Sequence, residues 1–134
     1  MKNLTHNNQI GKLGEDLACR FLMKHGFKII ERNYLKKCGE IDIVAEKDSI
    51  IHFVEIKSVS CENIDYVSSE TGDRYKPEDN MHPWKLGRLA KTIQMYLLEK
   101  NVSDETDWKF DAVTVFIDIK RRKSRVFMID NVIL

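Results

Sequence analysis

Four charged side chains are spaced along two neighbouring segments in a pattern that could bind a metal ion. Glu40 and Asp42 lie in one segment of alternating character, and Glu55 and Lys57 lie in the next. If the two segments pair as a β-hairpin through a short loop, the period of two places all four side chains on one sheet face. One of the two registers that a short loop allows pairs Asp42 directly with Glu55, and the other makes them diagonal neighbours.

This face has two interpretations. It could be an exposed sheet surface that carries cross-strand ion pairs. Alternatively, Asp42 and Glu55 could bind a divalent metal ion, and their oxygen atoms would favour Mg²⁺ or Mn²⁺. Lys57 would then orient the attacking water or offset charge at a phosphate. The spacing alone leaves both interpretations open.

The surrounding sequence predicts a single α/β domain over residues 1–134. Apolar residues recur at helical spacing in the first segment, at Ile10, Leu13, Leu17, Phe21 and Leu22. The element order α-β-β-β-α-β-β follows from helices predicted over 9–25 and 84–100 and strands predicted over 27–34, 40–45, 50–57, 108–119 and 125–129. Residues 58–82 lack periodicity and are expected to form a long loop, which is typically either functional or disordered.

The charge pattern excludes a uniformly basic nucleic-acid coat. Lysine and arginine number 22 and aspartate and glutamate 21, but an acidic middle of the chain separates two basic ends. Such a layout permits a basic surface around an acidic pocket. The three cysteines form no CxxC pair, and no apolar run reaches the ~20 residues of a membrane span. We therefore expect a cytoplasmic protein with no membrane association.

The two segments of the predicted hairpin resemble a known catalytic motif. Residues 39–42 (GEID) followed by 53–57 (FVEIK) are similar to the metal-binding hairpin of the PD-(D/E)xK nuclease superfamily. The whole chain more closely resembles the YraN-like family of uncharacterised bacterial proteins, which is related to archaeal Holliday junction resolvases. The supporting segments are 14–18 (GEDLA), 26–27 (GF), 32–33 (RN), 85–89 (KLGRL) and 110–113 (FDAV).

The resemblance implies a restriction-endonuclease-like αβββαβ core, with a mixed central sheet flanked by helices. It also implies a Mg²⁺ or Mn²⁺ site and a set of site residues. The implied metal ligands are Asp42, Glu55, the Ile56 backbone carbonyl and Glu15. The implied catalytic residues are Asp42, Glu55, Lys57 and Glu15, and Glu40 is a supporting residue within the GEID string.

The activity implied is that of a metal-dependent endonuclease, which hydrolyses phosphodiester bonds of branched or duplex DNA. Basic residues near the hairpin and in the second helix are the candidates for phosphate contact. They are Arg32, Lys36, Lys37, Lys85, Arg88 and Lys91. Because opposite strands of a junction or duplex are cut by paired sites, we also expect a homodimer.

Two other functions fit the same sequence. The chain could be a nucleic-acid-binding module that keeps the fold and its basic flanks but does not catalyse hydrolysis. It could also bind a protein partner through residues 58–82, since Tyr66, Tyr75 and the nearby Trp84 are typical of interfaces. Loss of Asp42 or Glu55 should leave salt-dependent DNA binding intact if the binding module is correct.

Overall fold

A computed structural model describes residues 6–66 and 83–132 of the chain. Most of the predicted loop, including Tyr75, lies outside the described residues. Within these two ranges, the helices are α1 (His6–Lys24) and α2 (Pro83–Glu99), with one 3₁₀ turn at Ile64–Tyr66. The strands are β1 (Lys28–Lys36), β2 (Gly39–Lys47), β3 (Ile50–Ser60), β4 (Trp108–Asp118) and β5 (Lys123–Ile129). The predicted element order is confirmed.

The five strands form one mixed sheet in the order β1-β2-β3-β4-β5. The β3–β4 pair is parallel and the other three pairs are antiparallel. A parallel pair needs a crossover connection, which here carries α2. Helix α1 packs with Ile43, Val54 and Val113, whereas α2 packs with Val44 and Phe53. These neighbouring residues alternate along the strands, so the helices cover opposite faces, as the predicted αβββαβ core requires.

A two-residue turn determines the register of the β2–β3 hairpin. Asp48 and Ser49 both have positive φ, 52° and 65°, as the type I′ turn that favours tight hairpins requires. Lys47 pairs with Ile50 across this turn, and the pairing continues to Ile43 and Val54. This is the register in which Asp42 and Glu55 come next as opposite residues.

Strands β2 and β3 separate immediately after that pair. The β2–β3 pairing ends at Ile43 and Val54, while β3 continues in parallel with β4 as far as Ser60 and Ile117. The predicted end of β3 at Lys57 was therefore three residues short, because main-chain bonding to β4 extends a strand whose own sequence has become polar. The separation opens the sheet at the point where the charged side chains lie.

The alternating pattern of β2 predicts that Ile41, Ile43 and Ala45 share one face, and this prediction is wrong at Ile41. Ile41 packs in the cluster beneath α2, whereas Ile43 packs in the cluster beneath α1. On β1, Asn33 lies between Arg32 and Tyr34, which pair with Ile43 and Ile41, so Asn33 is opposite Asp42. The φ angle of Asn33 is 54°. A left-handed residue in a strand breaks the regular pleat. The face that the side chains occupy therefore changes at Asp42.

Helix α1 packs on the sheet through the predicted apolar stripe, apart from Leu13, and small residues lie at its closest approach. Gly14 and Ala18 are buried at its centre, between Ile10 and Leu22, while the side chain of Leu13 is 41% exposed. A Cβ atom on Gly14 would lie 1.9 Å from Ser58 Oγ and 2.9 Å from Ser58 Cβ. The absence of a side chain at Gly14 therefore allows the helix to lie directly against β3. In the described ranges, neither α1 nor α2 is long and apolar enough to cross a membrane.

We expect Gly14→Ala to destabilise the protein by about 1–3 kcal/mol, because the added methyl group would force α1 away from Ser58. Gly11→Ala on the same helix is the matched control, since nothing lies within 4 Å of that position. Alanine there should stabilise the helix by about 0.5–1 kcal/mol. Urea unfolding of both variants measures the difference. Equal stabilities of the two variants would contradict the close packing at Gly14.

Candidate metal centre

The carboxyl groups of Asp42 and Glu55 lie side by side where β2 and β3 separate. Asp42 Oδ2 accepts a hydrogen bond of 2.8 Å from the Ile56 N–H. The Asp42 side chain thereby replaces the main-chain acceptor that a continued β2–β3 ladder would provide. The Glu55 side chain is largely buried and lies within hydrogen-bonding reach of the carboxyl group of Asp42. The predicted pairing of these two residues therefore brings their carboxyl groups into contact.

The surroundings disfavour ionisation of both carboxyl groups. Burial and the neighbouring charge of Glu55 raise the pKa of Asp42 from 3.8 to about 8, although the Ile56 N–H opposes this effect. Burial also raises the pKa of Glu55, and the ammonium group of Lys85 opposes it. Two carboxylates in contact repel each other unless a proton or a cation lies between them. The pair is therefore suited to bind a cation.

The backbone of Ile56 provides a third oxygen at the same place. The Ile56 N–H points towards β2, because it donates to Asp42. A strand residue directs its N–H and its C=O to the same neighbouring strand. The Ile56 carbonyl therefore faces the opening between β2 and β3, on the side of the Asp42 carboxylate.

Helix α1 places Glu15 at the second cavity, near Asp42, although no oxygen of Glu15 lies within 4.8 Å of both the Asp42 and the Glu55 carboxylates. Glu15 Oε1 accepts hydrogen bonds from Arg32 Nη2 at 2.9 Å and from Asn33 Nδ2 at 2.8 Å. Its charge also contributes to the raised pKa of Asp42. This geometry explains why Gly14 and Glu15 are neighbours in the sequence. Gly14 allows α1 to lie against β3, and Glu15 then reaches the side of Asp42.

Two cavities meet at Glu40 and Asp42. The first, of about 290 Å³, lies beneath α2 and is also lined by Glu55, Lys85 and Arg88. The second, of about 580 Å³, lies beside α1 and is also lined by Glu15, Ile56 and Lys57. The five acidic or basic residues of the predicted catalytic and supporting set all line one or both of these cavities, and they are Glu15, Glu40, Asp42, Glu55 and Lys57. Glu55 and Lys57 nevertheless line different cavities.

Sequence reasoning missed the role of Lys85 as the partner of Glu55. Lys85 Nζ lies 3.4 Å from Glu55 Oε1. The residue was predicted only as a phosphate contact, because two residues 30 positions apart give no periodic signal. Gly39, the first residue of β2, lies close to α2, because a Cβ atom at this position would lie 3.0 Å from Thr92 Oγ1. The first turn of α2 therefore reaches the carboxylates of the hairpin.

The six predicted phosphate contacts are not equivalent in the structure. Lys85 and Arg88 line the first cavity, and the Arg88 guanidinium also donates to the Cys38 carbonyl at 3.0 Å. Arg32 instead contacts the carboxylates of α1, and Lys36 Nζ lies 2.7 Å from Glu99 Oε2. Within the described ranges, neither cavity is lined by any of the remaining four, which are Arg32, Lys36, Lys37 and Lys91.

The raised pKa of Asp42 predicts how stability changes with pH. An unfolded chain ionises Asp42 near pH 3.8, whereas the folded chain does so only near pH 8. The contribution of Asp42 to the free energy of unfolding is therefore most favourable below about pH 4, where the group is protonated in both states. This contribution is lost progressively as the pH rises through about 8. Asp42→Asn keeps an acceptor for the Ile56 N–H and cannot ionise. Without divalent metal, we expect the free energy of unfolding of this variant to exceed that of the parent by roughly 2–6 kcal/mol at about pH 9 and to equal it at about pH 4.

Glu46→Gln is the control for that measurement, since Glu46 is an exposed carboxylate on the same strand. Thermal unfolding across the pH range should show no pH-dependent gain for this variant. If the stabilities of the parent and the Asp42→Asn variant changed with pH in parallel, the raised pKa assigned to Asp42 would be contradicted.

Residues 14–115 match the model of the uncharacterised protein family UPF0102. A UPF0102 protein of Campylobacter jejuni (strain 81-176) is 43% identical over 109 residues, which cover 81% of this chain and 85% of the relative. A UPF0102 protein of Campylobacter hominis is 34% identical over 126 residues, covering 94% and 95%. One from Flavobacterium johnsoniae is 36% identical over 114 residues, covering 84% and 85%. The predicted resemblance to the YraN-like family is confirmed, and the chain belongs to UPF0102.

Proposed function

We propose that this protein is a metal-dependent endonuclease that hydrolyses phosphodiester bonds of structured DNA, either branched or duplex. The observation that carries the proposal is the contact between the Asp42 and Glu55 carboxyl groups at the end of the paired hairpin. Two ionisable groups held together against their mutual repulsion reduce stability, and such a placement is typical of functional sites. Their position between two open cavities provides access for a substrate.

The available donors fit Mg²⁺ or Mn²⁺. Asp42, Glu55, the Ile56 carbonyl and Glu15 are all oxygen ligands, the class that these ions prefer. A bound ion would lower the pKa of a water molecule and stabilise charge on the phosphate. The raised pKa of Asp42 supports this assignment. Among the described residues, Lys85 forms an ion pair with Glu55, and no ion pair is formed by Asp42.

The protein's own side chains position the reactants. Arg32 and Asn33 hold Glu15 at the second cavity. Lys57 lines that cavity together with Asp42, where its ammonium group can orient a water molecule or neutralise a phosphate oxygen. Lys85 and Arg88 offer positive charge at the first cavity, on the other side of Asp42. A phosphodiester backbone that crosses the two cavities would meet a cation on each side of the carboxylates.

The Lys85–Glu55 contact also favours a second candidate function. A lysine that already neutralises part of the acidic pair is compatible with a DNA-binding module that has no bound metal and no turnover. The two candidates differ in one measurable property. Asp42 and Glu55 are required for hydrolysis in the first and are dispensable for DNA binding in both.

We expect the purified protein with Mn²⁺ or Mg²⁺ to cut at least one of branched, duplex or single-stranded DNA. Asp42→Asn and Glu55→Gln should each reduce the single-turnover rate by about 100-fold or more, because each removes a ligand charge from the metal. Glu46→Gln should cleave at the parental rate. If all three DNA substrates stay intact with either metal while the parent still binds them, the binding module is the correct function. RNA of matched structure distinguishes a DNA enzyme from a general nuclease.

The assigned phosphate contacts predict a salt dependence. Lys85→Ala should weaken DNA binding at every sequence and reduce the slope of log affinity against log salt by about 1. Lys24→Ala is the control, since Lys24 is exposed at the opposite end of α1 from the second cavity. The measurement is fluorescence anisotropy over a salt series. An unchanged slope in the Lys85 variant would remove Lys85 from the DNA contact.

A further inference from the structure

Three potential metal ligands converge at a second place in the sheet. They are His52 on β3, Asp111 on β4 and Asp130, which directly follows β5. His52 Nδ1 and one carboxylate oxygen from each aspartate all lie within 4.8 Å of one another. The His52 Nδ1 to Asp111 Oδ2 distance is 2.5 Å. The sequence offered no signal for this group, because the three residues are separated by 59 and 19 positions and follow no ligand motif.

The group brings two carboxyl groups together, and each of them also has a basic neighbour, His52 for Asp111 and Lys109 for Asp130. Asp111 is completely buried, and its Oδ1 accepts a 2.8 Å hydrogen bond from the Asn131 N–H. Burial raises the pKa of Asp111, and a hydrogen bond between its carboxyl group and that of Asp130 raises it further. Lys109 Nζ lies 3.9 Å from Asp130 Oδ2. Two carboxyl groups in contact beside an imidazole require a shared proton or a cation.

The group is also accessible. His52 and Asp130 line a cavity of about 390 Å³, whose other walls include His25 and Phe27. This cavity shares no lining residue with either cavity at Asp42. The ring of Phe27 packs edge-on against the His52 ring and limits its rotation. An ion could therefore reach an already oriented imidazole through the cavity.

We propose that His52, Asp111 and Asp130 form a second metal site, which binds a divalent transition-metal ion such as Zn²⁺. One imidazole nitrogen and two carboxylate oxygens are Zn²⁺ ligands, and an imidazole ligand favours Zn²⁺ over Mg²⁺. The ion would take the place of the proton between His52 and Asp111 and would neutralise the two carboxylates.

The position of the site indicates a structural role. The ligands join β3, β4 and the segment that follows β5, and the same segment is bound to β4 by the Asn131 N–H and by the Val132 N–H, which donates to the Phe110 carbonyl at 2.6 Å. A metal ion at this place would attach residues 130–132 to the sheet. The site does not depend on the proposed nuclease activity.

The test uses the full chain with both Asp42→Asn and Glu55→Gln, so that the first site cannot contribute. Zn²⁺ calorimetry and Co²⁺ visible absorption report binding, and thermal unfolding reports stabilisation. We expect one ion per chain, an absorption spectrum typical of nitrogen and oxygen ligands, and a higher melting temperature with Zn²⁺. Added Mg²⁺ should give no such increase in this background.

Asp130→Asn, added to that background, removes an exposed ligand without altering the buried core. It should weaken Zn²⁺ binding by about tenfold or more. Asp48→Asn is the matched control, because Asp48 lines the same cavity but does not belong to the ligand group. Absence of Zn²⁺ binding in the background protein, or equal affinity in the Asp130 and Asp48 variants, would overturn the second site. Neither result bears on cleavage of DNA by the parent protein.

Discussion

The hydrogen bond from the Ile56 N–H to Asp42 lies where two strands of the sheet separate, and the candidate metal centre depends on that separation. Beyond Val54, β3 keeps its bonds to β4 and loses its bonds to β2. The main-chain groups on the β2 side of β3 then need other partners. A carboxylate side chain meets that requirement, and so an acidic residue lies at the opening of the sheet without leaving the backbone unsatisfied.

The contact between the Asp42 and Glu55 carboxyl groups opposes folding. Their raised pKa values show that the folded chain disfavours both charges, and Lys85 compensates only one of them. Proteins often accept such local instability at sites where a ligand later relieves it. The same physical situation recurs at Asp111 and Asp130, where two carboxyl groups again meet around a buried polar residue. In both places two carboxyl groups lie close together, an arrangement that a bound cation would stabilise.

Close backbone packing on the two faces brings the remaining charges to the hairpin. Gly14 allows α1 to lie against β3, which places Glu15 beside Asp42. Gly39 allows the start of β2 to lie against α2, which places Lys85 beside Glu55. The two helices cover opposite faces of the sheet, so each of the two cavities receives its charged residues from a different helix.

Local patterns in the sequence predicted most of the fold. The period of two identified the hairpin, and the family resemblance added Glu15 and the Ile56 carbonyl to its carboxylates. The order of elements followed from period and turn residues, because these depend on neighbours along the chain. The exposed Leu13 shows the limit of this reasoning, since period alone identifies an apolar face but not which part of it lies closest to the sheet. The end of β3 was also missed, because a partner strand far along the chain extends it.

The sequence by itself determined that Asp42 and Glu55 are cross-strand neighbours, either directly opposite or diagonal, since a short hairpin and side-chain alternation are local constraints. Only the tertiary structure decided which long-range partners they meet. The change of face at Asn33, the ion pair of Lys85 and the convergence of His52 with Asp111 and Asp130 all join segments distant along the chain. Such contacts depend on how strands and helices pack in three dimensions, and that packing has no signature at any single spacing along the chain.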